Sequence, residues 1–137
     1  MSDSVVRYEL IFDGGSRGNP GDGYGSYSIK RGSGRFRKPV RCTFGRTTNN
    51  EAEYMALIEG LHGLLDEVRK GDVPLKDVEV IIRGDSQLVI NQVGGGWKAK
   101  NPRMRTYRDQ AKRLAGLFGR VAYKHHDRSK SVEVLGH

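Results

Sequence analysis

Tyr8-Glu9-Leu10-Ile11-Phe12-Asp13-Gly14-Gly15-Ser16 decides how this chain is read. Its first half is apolar and β-favouring enough for a central strand, and it runs into a carboxylate followed by two glycines, which permit a tight turn and a close approach of backbone to a ligand. In an open α/β sheet, ligands bind beyond the carboxyl ends of the strands, so Asp13 stands where chemistry is expected if a second carboxylate strand lies beside it. Val78-Glu79-Val80-Ile81-Ile82-Arg83-Gly84-Asp85 supplies one. Taken singly, Asp-Gly after a strand is ordinary turn chemistry.

Outward from that stretch, residues 5–13 read as strand one and residues 14–21 as a glycine-rich loop. Residues 24–31 and 35–44 read as two further strands, with Gly32-Ser33-Gly34 as the hairpin between them, so strands one to three form an antiparallel meander. Thr48-Asn49-Asn50 offers N-cap candidates, with Glu51 and Glu53 in the first turn of a helix running to about Lys70. Residues 78–85 make strand four. Ser86 caps a short helix ended by Gly94-Gly95-Gly96, and Asn101-Pro102 opens another with cap and first-position signals. Residues 120–126 are a fifth short strand, and Ser129 is the expected cap of a final helical turn. The long connections act as crossovers that make strands four and five parallel to strand one, which brings Asp13 and Asp85 to one edge with Glu53 above it.

The chain has 137 residues, enough for one domain with a proper core and too few for two ordinary ones. Its aliphatic runs are far below the ~18 residues that span a bilayer, so no membrane association is expected. Residues 1–7 show no secretory signal, and Cys42 as sole cysteine excludes an internal disulfide and a cysteine-based zinc site. A reducing, cytoplasmic location is the expectation.

Twenty-four Lys and Arg against sixteen Asp and Glu leave a net charge of +8. The excess is concentrated: residues 30–46 carry seven basic side chains and no acidic one, and residues 97–120 carry eight against the lone Asp109. Basic stretches flanking carboxylate positions suggest a polyanion gripped at its backbone. Two carboxylates about 4 Å apart repel by roughly 1 kcal/mol in water and about 4 at an effective dielectric near 20, so a cluster needs protons or cations. Without paired His or Cys ligands, an all-oxygen site prefers Mg²⁺ or Mn²⁺. Such a site in a basic protein points to a nuclease.

Three motifs then join up: Phe12-Asp13-Gly14-Gly15-Ser16-Arg17-Gly18-Asn19-Pro20-Gly21, Thr48-Asn49-Asn50-Glu51-Ala52-Glu53, and Gly84-Asp85-Ser86-Gln87. Together with Trp97-Lys98-Ala99-Lys100-Asn101-Pro102, they resemble the type 1 ribonuclease H family from Tyr8 to about Leu135. The resemblance implies an α/β ribonuclease H-like fold across residues 1–137, with a mixed five-stranded sheet in the order 3-2-1-4-5 and helices on both faces. It also implies endonucleolytic hydrolysis of the RNA strand of an RNA/DNA hybrid by two Mg²⁺ ions, with Mn²⁺ as an alternative, leaving 5′-phosphate and 3′-hydroxyl ends. A stand-alone monomer is expected.

By the same resemblance Asp13, Glu53 and Asp85 match the first three metal-binding acids, and Glu51 is expected to be an exposed first-turn acid. Asn19, Asn49, Asn50 and Gln87 match positions that contact the hybrid. Backbone at Gly14, Gly15 and Ser16 lies close to the RNA, and Thr48 helps hold a DNA phosphate. Trp97 and Lys98 look like part of the DNA-strand groove, although a lone tryptophan is equally well explained as core.

The chain departs from the family pattern in three places. The fourth acid is ordinarily Asp, four residues after an Asn, whereas the matching pair here is Ser129 and Glu133. Glu133 is favoured as the fourth metal and catalytic acid, with Asp127 as its rival. The mobile histidine of many members matches His125 or His126, of which His126 is favoured, against a solvent-facing strand-end pair. A short Gly-Gly-Gly turn replaces the basic protrusion, so residues 30–46 and the helix from Asn101 are expected to share the substrate grip. No hybrid-binding domain is visible.

Overall fold

The structure is a computed structural model that describes residues 5–136. Among them, five strands form one mixed sheet in the order β3-β2-β1-β4-β5. The strands are β1 (Val6–Arg17), β2 (Gly21–Arg31), β3 (Val40–Thr47), β4 (Val78–Gly84) and β5 (Arg120–His125). The helices are α1 (Asn49–Lys70), α2 (Gln87–Gly94), α3 (Pro102–Ala115) and α4 (Arg128–Leu135). β1 pairs antiparallel with β2, and β2 with β3, while β4 and β5 run parallel to β1. This is the sheet expected from the sequence.

β1 is longer than expected. Residues 14–17 are not loop: they continue the ladder with β2, Gly14 opposite Gly25 and Arg17 opposite Asp22. Pairing with β4, however, stops at Phe12 opposite Gly84. Asp13 is therefore interior to the antiparallel ladder and lies just past the end of the parallel one. Glycine ordinarily weakens a strand, and here it is retained where other backbone comes close. A Cβ on Gly14 would run into the Ala52 carbonyl and stand 2.8 Å from the Glu53 nitrogen.

β3 also differs from expectation, beginning at Val40 rather than Arg35. Pro39 cannot donate to a ladder, and residues 33–39 form a wider loop in which the Arg37 nitrogen donates to the Ile29 carbonyl at 3.1 Å. β3 continues past Phe44 because its register shifts opposite Gly23 and Tyr24, with Gly45 at φ 73°, a bulge conformation that suits glycine.

α1 lies across the sheet. Tyr8, Leu10 and Phe12 of β1 and Val78, Val80 and Ile82 of β4 are buried with Leu57, Leu61, Leu64 and Val68 of α1 in one core, each aliphatic side chain worth roughly 1.5–3 kcal/mol when fully buried. Alternation sends Ile11 to the opposite face, where it is fully buried, and α4 packs on β1 and β2 with Leu135 also fully buried. The cap of α4 is Asp127 rather than Ser129, and it makes no side-chain capping bond. Ser86 and Asn101 cap α2 and α3 as expected, their oxygens accepting from the Val89 and Arg103 nitrogens at 3.2 and 2.8 Å.

Candidate active site

The parallel register sets the geometry. Phe12 and Gly84 are partners, so Asp13 and Asp85 follow side by side where β1 and β4 separate. Glu53 arrives from above because Gly14 lets the first turn of α1 press onto β1. One carboxylate oxygen from each of Asp13, Glu53 and Asp85 lies within 4.8 Å of the others. Asp13 is 3 % exposed and accepts from the Gly14 nitrogen at 3.0 Å. Glu53 Oε2 and Asp85 Oδ2 are buried and have no hydrogen-bond partner.

Electrostatics show how badly this cluster needs a cation. Burial, then the charge of Asp85, pushes the Asp13 carboxyl up to about 6, although a hydrogen bond from Glu53, the charge of Arg128 and the Gly14 nitrogen act the other way. Burial first, and then the charges of Asp13 and Asp85, raises the Glu53 carboxyl well above the usual range. Two buried oxygens without partners among repelling carboxylates are suited to a hard divalent ion, and the oxygen-only set fits Mg²⁺ or Mn²⁺.

The other candidates are distributed around this centre. Glu133 is exposed on α4 and is not one of the clustered acids, and neither is Asp127. His125 is exposed and its Nε2 lies 3.2 Å from the backbone oxygen of Asp85. His126 is half-buried, with Nε2 3.0 Å from Ser131 Oγ and a buried Nδ1 without a partner. Burial lowers its proton affinity, against the attraction of Asp85. The two histidines are thus not an equivalent solvent-facing pair.

Asn19, Asn49 and Ser16 form one hydrogen-bonded group. Asn49 Oδ1 accepts from the Ser16 nitrogen at 2.9 Å and from Ser16 Oγ at 3.0 Å, while Asn19 Oδ1 accepts from the Asn49 nitrogen at 3.1 Å. This group ties the turn after β1 to the start of α1. Asn50 and Gln87 are exposed, and a Cβ on Gly15 would stand 2.7 Å from the Tyr24 hydroxyl, so Tyr24 would have to shift. Thr48 is the N-cap of α1, and Trp97 is 47 % exposed, which removes the core explanation for it. Lys98 is exposed beside it.

Glu51 overturns its expectation. It is 4 % exposed: Oε1 accepts from the Thr48 nitrogen at 3.0 Å and from the Thr47 hydroxyl at 3.2 Å, and Oε2 pairs with Arg103 at 3.0 Å. Its carboxyl lies below the usual range because these donors, with Arg103, outweigh burial. The Thr-x-x-Glu spacing of a capping box was the signal for it. Arg128 was likewise missed, and nothing in its local sequence marks it. The basic stretch of residues 30–46 is also less free than its charge suggests, since Lys30 pairs with Glu9, Arg37 with Glu67, and Arg41 donates to the Leu135 carbonyl.

Residues 12–134 match the family model described as reverse transcriptase-like. Ribonuclease H1 of the archaeon Halobacterium salinarum, solved by crystallography, superposes with a TM-score of 0.80 at 34 % identity, covering 95 % of this chain and 92 % of that one. This chain belongs to the type 1 ribonuclease H family. A ribonuclease H1 isolated from compost, solved in complex with an RNA/DNA hybrid, superposes on this family member with a TM-score of 0.80 at 31 % identity, over 93 % of this chain and 90 % of that one. In full-length comparison, ribonuclease HI of H. salinarum is 39 % identical over 82 % of this chain, which spans 52 % of that protein. A bifunctional protein of Mycobacterium tuberculosis is 38 % identical over 88 % of this chain, which spans 31 % of it. This ribonuclease H chain thus spans about a third to a half of those relatives' length.

Proposed function

We propose that this chain hydrolyses the RNA strand of RNA/DNA hybrids with divalent metal, leaving 5′-phosphate and 3′-hydroxyl ends. The observation that carries the reading is the convergence of Asp13, Glu53 and Asp85 within 4.8 Å with two of their oxygens unpartnered. These three acids, with Glu133 as the fourth, would hold two Mg²⁺ ions, or Mn²⁺ in their place. Held there, divalent ions would supply activation of the attacking water and stabilisation of the leaving 3′-oxygen.

The protein's own groups set the rest. Burial and mutual repulsion raise the proton affinity of Asp13 and Glu53, so protons compete with the cation for their oxygens and loading is favoured as pH rises. Half-buried His126, whose buried Nδ1 has no partner, is the group proposed to move a proton near the cut, and burial favours its neutral form. Polar groups at Gly15, Asn50 and Gln87, each within three residues of a clustered acid in sequence, would sense the 2′-hydroxyl that distinguishes RNA. Thr48 accepts from the Glu51 nitrogen as cap and keeps its hydroxyl proton to donate to a DNA phosphate. Exposed Trp97 and Lys98 would bear on the DNA strand. Contacts of this kind read backbone shape rather than bases, and affinity should fall steeply with salt.

No helix among the described residues is long and apolar enough to cross a membrane. The chain is proposed to act as a monomer in the cytoplasm. The deciding assay compares end-labelled RNA/DNA, RNA/RNA and DNA/DNA duplexes with Mg²⁺ and with Mn²⁺. Cleavage confined to the RNA of the hybrid and lost in Asp13→Asn supports the proposal, and equal cleavage of all three duplexes refutes it.

A further inference from the structure

Between α2 and α3 the chain makes a short excursion, Gly95 to Asn101, that carries the exposed side chains of Trp97, Lys98 and Lys100. Three glycines precede Trp97, and a segment of this composition would ordinarily sample many conformations. In this fold its carbonyl groups are held instead. Gln92 Nε2 donates to the Lys98 carbonyl at 3.3 Å, Arg105 Nε to the Ala99 carbonyl at 3.2 Å, and Arg105 Nη2 to the Lys100 carbonyl at 3.1 Å. The Trp97 nitrogen donates to the Asn91 carbonyl at 3.0 Å, and Ala99 is buried.

Gln92 itself is 5 % exposed, and its Oε1 accepts from the Tyr54 hydroxyl at 2.5 Å. Tyr54 is fully buried and is the residue after Glu53 on α1. Gln92 lies on α2, whose cap, Ser86, directly follows Asp85. One amide side chain thus bridges the helix that carries Glu53 and the segment that carries Trp97, from a helix that starts at Asp85. Buried polar side chains are costly unless satisfied, and both ends of this one are satisfied by groups whose relative position matters to the site.

We infer that Gln92, seconded by Arg105, is a positioning residue that fixes residues 95–101 at a set distance from the carboxylate cluster, so that Trp97, Lys98 and Lys100 meet the DNA strand already ordered. The inference rests on the proposed hybrid cleavage. Ordering the segment before binding removes an entropic cost that would otherwise be met at each encounter. Gln92 touches no substrate on this account; it acts through the segment.

Trp97 is the sole tryptophan of the chain, so its fluorescence reports this segment alone. Gln92→Leu removes both hydrogen bonds, and Tyr54→Phe combined with Gln92→Leu removes them without leaving the tyrosine hydroxyl unpaired. Arg105→Met releases the other two carbonyls. In each folded variant, acrylamide quenching of Trp97 in the free protein should rise and its anisotropy should fall. KM for a labelled hybrid should rise about fivefold, the scale of one buried hydrogen bond, with kcat within about twofold of wild type. Unchanged quenching and KM in Arg105→Met and in the double variant would overturn the inference while hybrid cleavage by the wild-type protein stands. A fall in kcat with KM unchanged would overturn it as well. Absence of hybrid cleavage in the wild type would instead remove the reading beneath it.

Discussion

Phe12 stands opposite Gly84 in the parallel ladder, and Asp13 and Asp85 leave that ladder together. Their proximity is a property of the strand register, so neither carboxylate can move away from the other without a slip that would turn Phe12 and Ile82 out of the core. The fold therefore holds charges together that repel. Asp85→Asn should consequently have opposite effects on activity and stability. Hybrid cleavage with Mg²⁺ is expected to fall by about a thousandfold or more, and the metal-free melting temperature to rise, since the neutral amide relieves repulsion felt by both Asp13 and Glu53. Parallel kinetics and thermal melts check both directions, and unimpaired turnover would remove the cluster from the reaction.

The pH dependence follows with a definite sign. The Asp13 carboxyl is raised in the fold to about 6 from an ordinary 3.8, and burial raises Glu53 well above its own ordinary value. A raised acid costs nothing while it is protonated in both states, below about pH 4. Its cost grows as pH climbs to the folded value and is complete above it, with an upper bound near about 3 kcal/mol for Asp13. Glu9 and Glu51 are lowered in the fold and act oppositely, contributing stability above their ordinary value of 4.5 that is lost in stronger acid. The difference between wild type and Asp13→Asn isolates the cluster. Without metal, the variant's advantage should be small at pH 4 and largest above pH 6, and saturating Mg²⁺ should reduce it at high pH only. Circular-dichroism melts across this range measure it.

Gly14 is expected to tolerate no side chain. A Cβ there would meet the Ala52 carbonyl and the Glu53 nitrogen, both backbone atoms of a helix that cannot yield locally. Gly14→Ala should cost about 1–3 kcal/mol by urea unfolding and reduce cleavage more than stability, because the displaced turn carries Glu53. Wild-type kinetics in that variant would mean that the first turn of α1 has freedom the packing does not show.

Element order, the meander of the first three strands and Asp13 beside Asp85 were legible from local signals such as an apolar run ending in Asp, a cap before an apolar helix, and a Pro or Gly at a boundary, whereas the full strand order and the choice of Glu53 over Glu51 came from the resemblance of the motifs to the family. What escaped was decided by partners distant in sequence. Residues 14–17 look like loop because glycine disfavours strands, yet β2 supplies a full ladder and α1 needs the missing side chains. Glu51 looks exposed from its place in a first turn, yet Thr47, Thr48 and Arg103 enclose it. Gln92 carries no sequence signal, since nothing in an eight-residue helix shows that one amide will be buried between a tyrosine and a carbonyl.

Glu133 tests how far the site extends onto α4. The start of that helix lies near enough to the cluster for Arg128 to act on the charge of Asp13, and Glu133 follows about 7.5 Å further along the axis, exposed and outside the three-acid group. A glutamate arm is longer than an aspartate arm by one methylene, which suits a fourth ligand that must reach. Glu133→Gln should weaken Mg²⁺ and Mn²⁺ binding in calorimetric titration by about tenfold and lower kcat at subsaturating metal, with partial recovery at high metal. Asp127→Asn should stay within about twofold of wild type in both measurements, because Asp127 makes no capping bond to lose and is not one of the clustered acids. The reverse ranking of the two variants would assign the fourth acid to Asp127.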